Sequence, residues 1–406
     1  VCGGCCGCID KFNVETLERS QVGKFVQHSA FSIQRSAFVM RIILDARATT
    51  PHFPGIARAT FGLLGGLSEI EHQHSVAVLS YGGTPPPDHP VFRDRRMAWI
   101  ETHASPLSAA QQWQLPLLER ALVPDVWHAP YYVRPFVGVP RPVVTVFDVI
   151  GRVVPDALSS WRSRVVFELC MRASLRGAAH IITSSDASRR DLMEAYGVGG
   201  ERITVVPLAA DRRFVPQLPI IMEQVRQRYS LPTRYLLYLG SNKPHKNITT
   251  LIEAFLHVQT DALLVVAGHW DRRFPQAQRL VEQLQLSERV RFLHNIADGD
   301  VPALLSGATA FVFPSLREGF GLPPLEAMAC GAPVIVSNTS SLPEVVGDAG
   351  LLVVPEREPL AQAMQQLLDD AVLREDLRQR GAQRAAAFTW AHTAQQTLAV
   401  YERVAS

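Results

Sequence analysis

With 406 residues, 47% of them hydrophobic and 19% charged, the chain is long enough for two domains with separate cores. Its formal charge of +2 and the lack of any dense Lys/Arg block argue against a nucleic-acid partner. Apolar runs such as 263–267 and 351–354 fall far short of the roughly 20 residues that a membrane span needs, so the chain is expected not to cross a membrane, with peripheral attachment left open.

Residues 1–39 show no strand–helix rhythm and no charged leader region. They are expected to form an extension before Met40, disordered or not native, outside the fold. Four of the six cysteines crowd there, at Cys2, Cys5, Cys6 and Cys8, without a second Cys/His cluster at metal-finger spacing. Cys170 and Cys330 stand alone in apolar segments and read as buried thiols, so a reducing cytoplasm is the expected location. Of 40 basic residues only Lys11, Lys24, Lys243 and Lys246 are lysines. The last two share one loop, either by chance or because a compact ammonium is wanted there rather than a planar guanidinium.

From Met40 short Val/Ile/Leu-rich runs recur at 42–46, 75–79, 97–100, 143–146, 180–183 and 203–206, with helical segments such as 56–67 and 163–173 between them. After a Pro-containing linker at 211–218 a second set follows at 235–239, 263–267, 290–293, 310–313, 334–336 and 350–353. Helical patterns at 248–258, 276–284 and 359–368 separate these runs, and a long helical region, 372–404, breaks near Phe388-Thr389-Trp390. Strands alternating with helices predict parallel sheets covered on both faces. The fold class is therefore α/β, two Rossmann-like doubly wound domains facing across a cleft, with boundaries at 40–216 and 217–388 and a terminal helical segment at 389–406. In such sheets ligands bind beyond the carboxyl ends of the strands.

Three loops there carry candidate chemistry. Pro51-His52-Phe53-Pro54-Gly55-Ile56-Ala57-Arg58 opens a helix. Gly55 allows backbone approach to a phosphate or sugar, or is a turn glycine, with Arg58 then a solvated helix residue. Gly240-Ser241-Asn242-Lys243-Pro244-His245-Lys246-Asn247 leads into the next helix, with Asn247 the expected N-cap. Lys246 at a helix N-terminus opposes the macrodipole unless an anion sits between them. The third loop contains Glu318 and the glycines Gly319 and Gly321, and Glu326, with seven residues between it and Glu318, lies early in the helix that follows. Two carboxylates can serve as a hydrolytic acid and base, but beside an anion-binding loop they more naturally accept hydrogen bonds from hydroxyls. The chain lacks G-x-x-x-x-G-K-[ST], an early G-x-G-x-x-G, G-x-S-x-G and H-E-x-x-H, which argues against nucleotide hydrolases, nicotinamide dehydrogenases and zinc peptidases.

The stretch FVFPSLREGFGLPPLEAMACGAPVIVSNTSSLPEVVGDAGLLV, together with PGIAR, HIITSSDASRRDL, GSNKPHKN and FTWAHTA in that order, resembles the retaining glycosyltransferases of GT-B fold, family 4. The resemblance runs from Met40 to about Val404 and is nearest in pattern to bacterial mannosyltransferases of surface-polysaccharide assembly. It implies that Glu318 binds hydroxyls of the donor sugar, that the backbone of Gly319, Phe320, Gly321 and Leu322 contacts sugar and phosphates, and that Glu326 holds the ribose. Lys246, with Glu318 the implied catalytic pair, neutralises the diphosphate, Gly240 lies beside the phosphates, and Gly55 approaches from the other domain. The final helix is implied to cross back onto the first domain. The implied donor is a nucleoside diphosphate sugar, GDP-mannose first, used without metal or other cofactor. A saccharide or lipid-linked saccharide is the acceptor, reached in the cytoplasm or at the inner face of the membrane.

Two departures matter. Ser241 stands where relatives often carry arginine, which passes the phosphate role to Lys243 or His245. Phe147 precedes Asp148 where relatives often read His-Asp, so a catalytically impaired sugar-nucleotide-binding or scaffold protein is the alternative. His128 matches another recurrent position or is a core-edge histidine.

Overall fold

The computed structural model describes residues 40–50, 54–81, 89–139, 141–154 and 160–406. The extension 1–39, with its cysteine cluster, Lys11 and Lys24, and the first three residues of the PGIAR loop lie outside them.

The first domain is one seven-stranded sheet. Its strands are β1 (Arg41–Asp45), β2 (Ser75–Ser80), β3 (Met97–Glu101), β4 (Val126–Ala129), β5 (Pro142–Thr145), β6 (His180–Thr183) and β7 (Ile203–Val205), ordered 3-2-1-4-5-6-7 and all parallel. The second sheet holds β8 (Tyr235–Leu239), β9 (Leu263–Ala267), β10 (Val290–Leu293), β11 (Ala310–Phe313), β12 (Val334–Ser337) and β13 (Leu351–Val353), ordered 10-9-8-11-12-13 and again all parallel. Both orders reverse direction once, between β1 and β4 and between β8 and β11, and the loops at those reversals are where a doubly wound sheet holds its ligand.

The strand runs were legible because a parallel sheet buried on both faces is continuously apolar; β2, β4 and β11 are buried at every position. The one strand not expected was β4. Its four residues, VWHA, interrupt the Val/Ile/Leu pattern with a tryptophan and a histidine, yet Trp127 and His128 are both within 1% of full burial. A second expectation fails at Asn247. Its backbone sits at φ 58°, a region Asn tolerates well. Its side chain does not cap the following helix: Nδ2 donates to the Pro355 carbonyl (3.0 Å), and Oδ1 accepts from Thr250 (2.6 Å).

The long C-terminal helical region breaks where expected. One helix spans Ala371–Ala386, and a second, Trp390–Ala405, starts with the Thr389 side chain accepting from His392 N–H. This final helix leaves the second domain and packs on the first. Ala394, Leu398, Val400 and Tyr401 join the cluster formed by Ile42, Leu44, Leu64 and Val78. The Pro54–Glu69 helix allows this approach with Gly66, where a Cβ would lie 2.1 Å from the Trp390 carbonyl oxygen.

Candidate active site

The second domain presents two rigid loops side by side. After β8, Gly240 N–H donates to the Ala267 carbonyl (2.9 Å) and the Tyr238 hydroxyl donates to the Ser241 carbonyl (2.7 Å). Asn242 Nδ2 donates to the Asp271 and Phe274 carbonyls (2.8 and 2.7 Å), so the loop cannot drift. The turn that follows, Pro244–Lys246, is tied to the loop after β11, because the His245 carbonyl accepts from Leu316 N–H (2.8 Å) and from the Ser315 hydroxyl (3.1 Å). These bonds bring Lys246 Nζ to 2.6 Å from Glu318 Oε1, and 5.2 Å above the Phe313 ring. Both side chains are mostly buried, at 15% and 11% exposure.

In the loop after β11 the carbonyls of Glu318, Gly319 and Phe320 are all engaged. Ser340 and Ser341 hydroxyls donate to the Glu318 carbonyl (2.7 and 3.0 Å), and Ser341 also to that of Phe320 (2.6 Å). By contrast the N–H groups of Gly319, Phe320 and Gly321 have no hydrogen-bond partner among the described residues. They precede the helix Leu322–Ala329, whose first turn adds only the Leu322 N–H, because Pro323 and Pro324 carry none. A row of free donors at a helix start, flanked by a lysine, favours an anion. Lys243, half-buried beside Lys246, makes no ion pair among the described residues. Burial chiefly, and then Lys246, push its pKa down.

The first domain closes over this surface. The Gly319 carbonyl accepts from the hydroxyls of Ser184, Ser185 and Ser188 (3.0, 2.7 and 3.0 Å), on the β6 loop and the helix Asp186–Tyr196. Glu344 receives Asp186 and Ala187 N–H at that helix start (2.8 and 2.7 Å), and Arg317 pairs with Asp191. The Phe147-Asp148 loop abuts Gly319 so tightly that a Cβ there would lie 2.3 Å from the Phe147 carbonyl oxygen. Gly319→Ala is therefore expected to pry the two loops apart, costing about 1–3 kcal/mol, read as a lower melting temperature and a larger radius of gyration in solution scattering.

Asp148 accepts from Ile150 N–H (2.9 Å), and burial followed by Glu318 raises its pKa, while Lys246 and Lys243 act in the opposite sense. The carboxylate thus faces the Lys246–Glu318 pair from the other domain. Phe147 packs against the core of the second domain, so it takes up space rather than offering a polar atom. Glu326, in the Leu322–Ala329 helix, is 1% exposed and meets Arg58 Nη1 of the first domain at 3.2 and 3.3 Å. Burial raises its pKa to about 7 against the pull of Arg58. Arg58 is thus not simply solvated. Gly55, one turn earlier in the same helix, is exposed with open space where a Cβ would stand.

His128 does not join this group. Its Nδ1 meets the Tyr401 hydroxyl at 2.5 Å and its Nε2 the Thr145 hydroxyl at 2.8 Å, and burial lowers its pKa to about 3. It is a neutral tie between β4, β5 and the final helix. The small cavity beside it, about 30 Å³, has room for one water and none for a sugar. The serine clamp on Gly319 was missed in the sequence. Its only trace there is the serine-rich run TSSDAS.

Two all-parallel doubly wound sheets, their carboxyl edges meeting around a lysine–glutamate pair and free loop N–H groups, are the GT-B architecture of glycosyltransferases. Residues 223–384 match the family Glycosyl transferases group 1, and residues 54–209 the Glycosyl transferase 4-like domain. The chain is 33% identical over 317 residues to O-antigen chain mannosyltransferase B of Escherichia coli, covering 77% of this chain and 82% of that protein. It is 32% identical over 217 residues to O-antigen chain mannosyltransferase RfbU of Salmonella typhimurium, covering 53% and 57%. HepE of Anabaena, solved in complex with UDP and glucose, superposes with a TM-score of 0.70 at 18% identity over 90% of this chain and 100% of that one. The chain belongs to the group 1 glycosyltransferases and is a glycosyltransferase of GT-B fold.

Proposed function

We propose that the protein transfers a hexose, mannose first, from a nucleoside diphosphate sugar, GDP-mannose first, to a hydroxyl of a saccharide or lipid-linked saccharide, with retention of anomeric configuration. It would act in the cytoplasm, where the lone thiols Cys170 and Cys330 stay reduced. The observation that carries the reading is the Lys246–Glu318 pair set beside the free N–H groups of Gly319, Phe320 and Gly321. The mannosyltransferase names of the two bacterial relatives support the choice of sugar.

In this reading the diphosphate lies against the loop N–H groups, with Lys246 and Lys243 supplying positive charge as the bond to the sugar breaks. No metal is needed for that charge. Glu318 gives up part of its hold on Lys246 to accept hydroxyls of the donor sugar, and Glu326 accepts those of the ribose. Asp148 faces the same point from the acceptor side. The acceptor oxygen bonds to the anomeric carbon on the face the phosphate leaves, and its proton passes to the departing phosphate oxygen.

The test is transfer from a panel of GDP-, UDP- and dTDP-sugars to mannosylated acceptors, with the product anomer read by NMR. An α-mannoside from GDP-mannose is the expected result; transfer from another donor alone discards the sugar assignment, and a β-product discards retention. One observation favours a second reading. Phe147 offers no polar atom beside the donor, as an impaired sugar-nucleotide-binding protein would allow. Calorimetric binding of GDP-mannose without turnover on any acceptor extract would establish that reading instead.

A further inference from the structure

Among the described residues no helix is long and apolar enough to cross a membrane. The helix Trp161–Gly177 nevertheless breaks the rule that a surface helix turns its apolar side inward. Its inward side is conventional, with Phe167, Met171 and Leu175 buried. Its outward side carries Trp161, Val165 and Leu169 at successive i, i+4 positions, exposed by 69%, 47% and 63%, with Val166 beside them at 59%. Four arginines, Arg162, Arg164, Arg172 and Arg176, are exposed on the same helix against one acid, Glu168. Glu168 is itself held by Arg152 and Arg172 (3.0 and 2.6 Å).

We propose that this ridge docks the protein on an anionic lipid surface, with Trp161, Val165 and Leu169 entering the headgroup–acyl boundary and the arginines meeting lipid phosphates. The charge pattern selects this occupant. A two-fold related copy would set arginine against arginine, and a convex ridge offers no groove for a peptide. A plane of negative charge over an apolar interior matches a basic helix with a protruding tryptophan. The docked face is the back of the cleft wall. Phe167 packs on Tyr132, with ring centroids 5.1 Å apart, and lies where a Cβ on Gly151 would be 2.9 Å away. Tyr132 belongs to the loop after β4, and Gly151 to the short helix Ile150–Val153 that follows β5. A lipid-linked acceptor would thus reach the cleft from the surface on which the protein sits; that consequence, unlike the docking, rests on the proposed function.

The experiment is co-sedimentation of the full chain with vesicles of phosphatidylcholine alone or mixed with phosphatidylglycerol. It compares wild type with Trp161→Ser/Leu169→Ser and Arg162→Gln/Arg176→Gln. Wild type is expected to bind the mixed vesicles and not the neutral ones, with affinity falling as salt rises. The apolar pair should weaken binding at least tenfold, and the arginine pair on the order of 25-fold, about fivefold for each charge. All four positions are exposed, so melting temperatures should stay unchanged. Failure of wild type to bind the mixed vesicles overturns the proposal, as does equal binding by the variants. A wild-type dimer in sedimentation velocity that the apolar pair dissolves would reassign the ridge to a second copy. Transfer to a soluble acceptor, measured in parallel, should be unaffected in all three; its absence would bear on the proposed function alone.

Discussion

Lys246→Met is expected to lower kcat/KM by about 10²–10³, the range seen when a single donor to developing negative charge is removed. The same substitution strips a mostly buried carboxylate of its partner. Leaving Glu318 unpaired should cost roughly 3–5 kcal/mol of stability, so the loss of rate by itself would not separate chemistry from folding. The double variant Lys246→Met/Glu318→Gln separates them. Removing both charges together relieves the unpaired carboxylate, so its melting temperature should return most of the way to wild type while activity stays lost. If activity returns along with stability, the pair is architectural and the diphosphate is neutralised elsewhere, with Lys243 the next cation to test.

The second large effect is expected at Glu326. A carboxylate raised to about 7 by burial is half-protonated near neutrality, and only its ionised form accepts from two ribose hydroxyls. Nucleotide affinity should therefore rise as pH goes from 6 to 8, with an inflection near 7. Glu326→Gln should remove the inflection and weaken binding at pH 8 by about tenfold, the worth of one charged hydrogen bond. Arg58→Ala removes the cation that favours the ionised form, and the inflection should move upward. The same shift has a sign for stability. Because the folded pKa lies above the ordinary value of 4.5, the fold favours the proton. The stability it contributes is complete below about 4.5 and is lost as pH rises through about 7. Isothermal titration with nucleoside diphosphate across this range checks the first effect, and denaturant melts of wild type against Glu326→Gln check the second. A 2′,3′-dideoxyribose nucleotide bound as tightly as its ribose counterpart would remove the ribose from Glu326.

What the sequence revealed and what it hid follow from distance along the chain. All the strands but β4 could be read because each is a local apolar run, most of them rich in Val, Ile and Leu. Lys246 could be read because lysine is so scarce that its placement carries information, and the two carboxylates because they lie on either side of two glycines at one loop-to-helix junction. Partners from far along the chain could not be read. Arg58 lies 268 residues from Glu326, and Tyr401 lies 273 residues from His128. Without those partners Arg58 has the pattern of a solvated helix residue, and His128 is as readily a ligand-facing residue as a core one. Asn247 shows a different limit. The sequence placed it at the helix start, but the same short amide serves a cap or a left-handed turn. The choice between them was made by the Pro355 carbonyl, more than a hundred residues away.

The return of the final helix to the first domain has a consequence for how the protein is made. Leu398, Val400 and Tyr401 complete a core whose other walls are strands near the start of the chain, and Tyr401 is the partner that satisfies a wholly buried histidine. Residues 41–205 leave the ribosome before the second domain, yet their sheet is missing one wall until the entire second domain has been synthesised. The second domain has its own large core and can close once its strands and the helices through Ala386 are out, before the final helix is made. The nascent first domain must therefore wait with apolar surface uncovered, and the earlier-made half of this protein is the later one to finish folding.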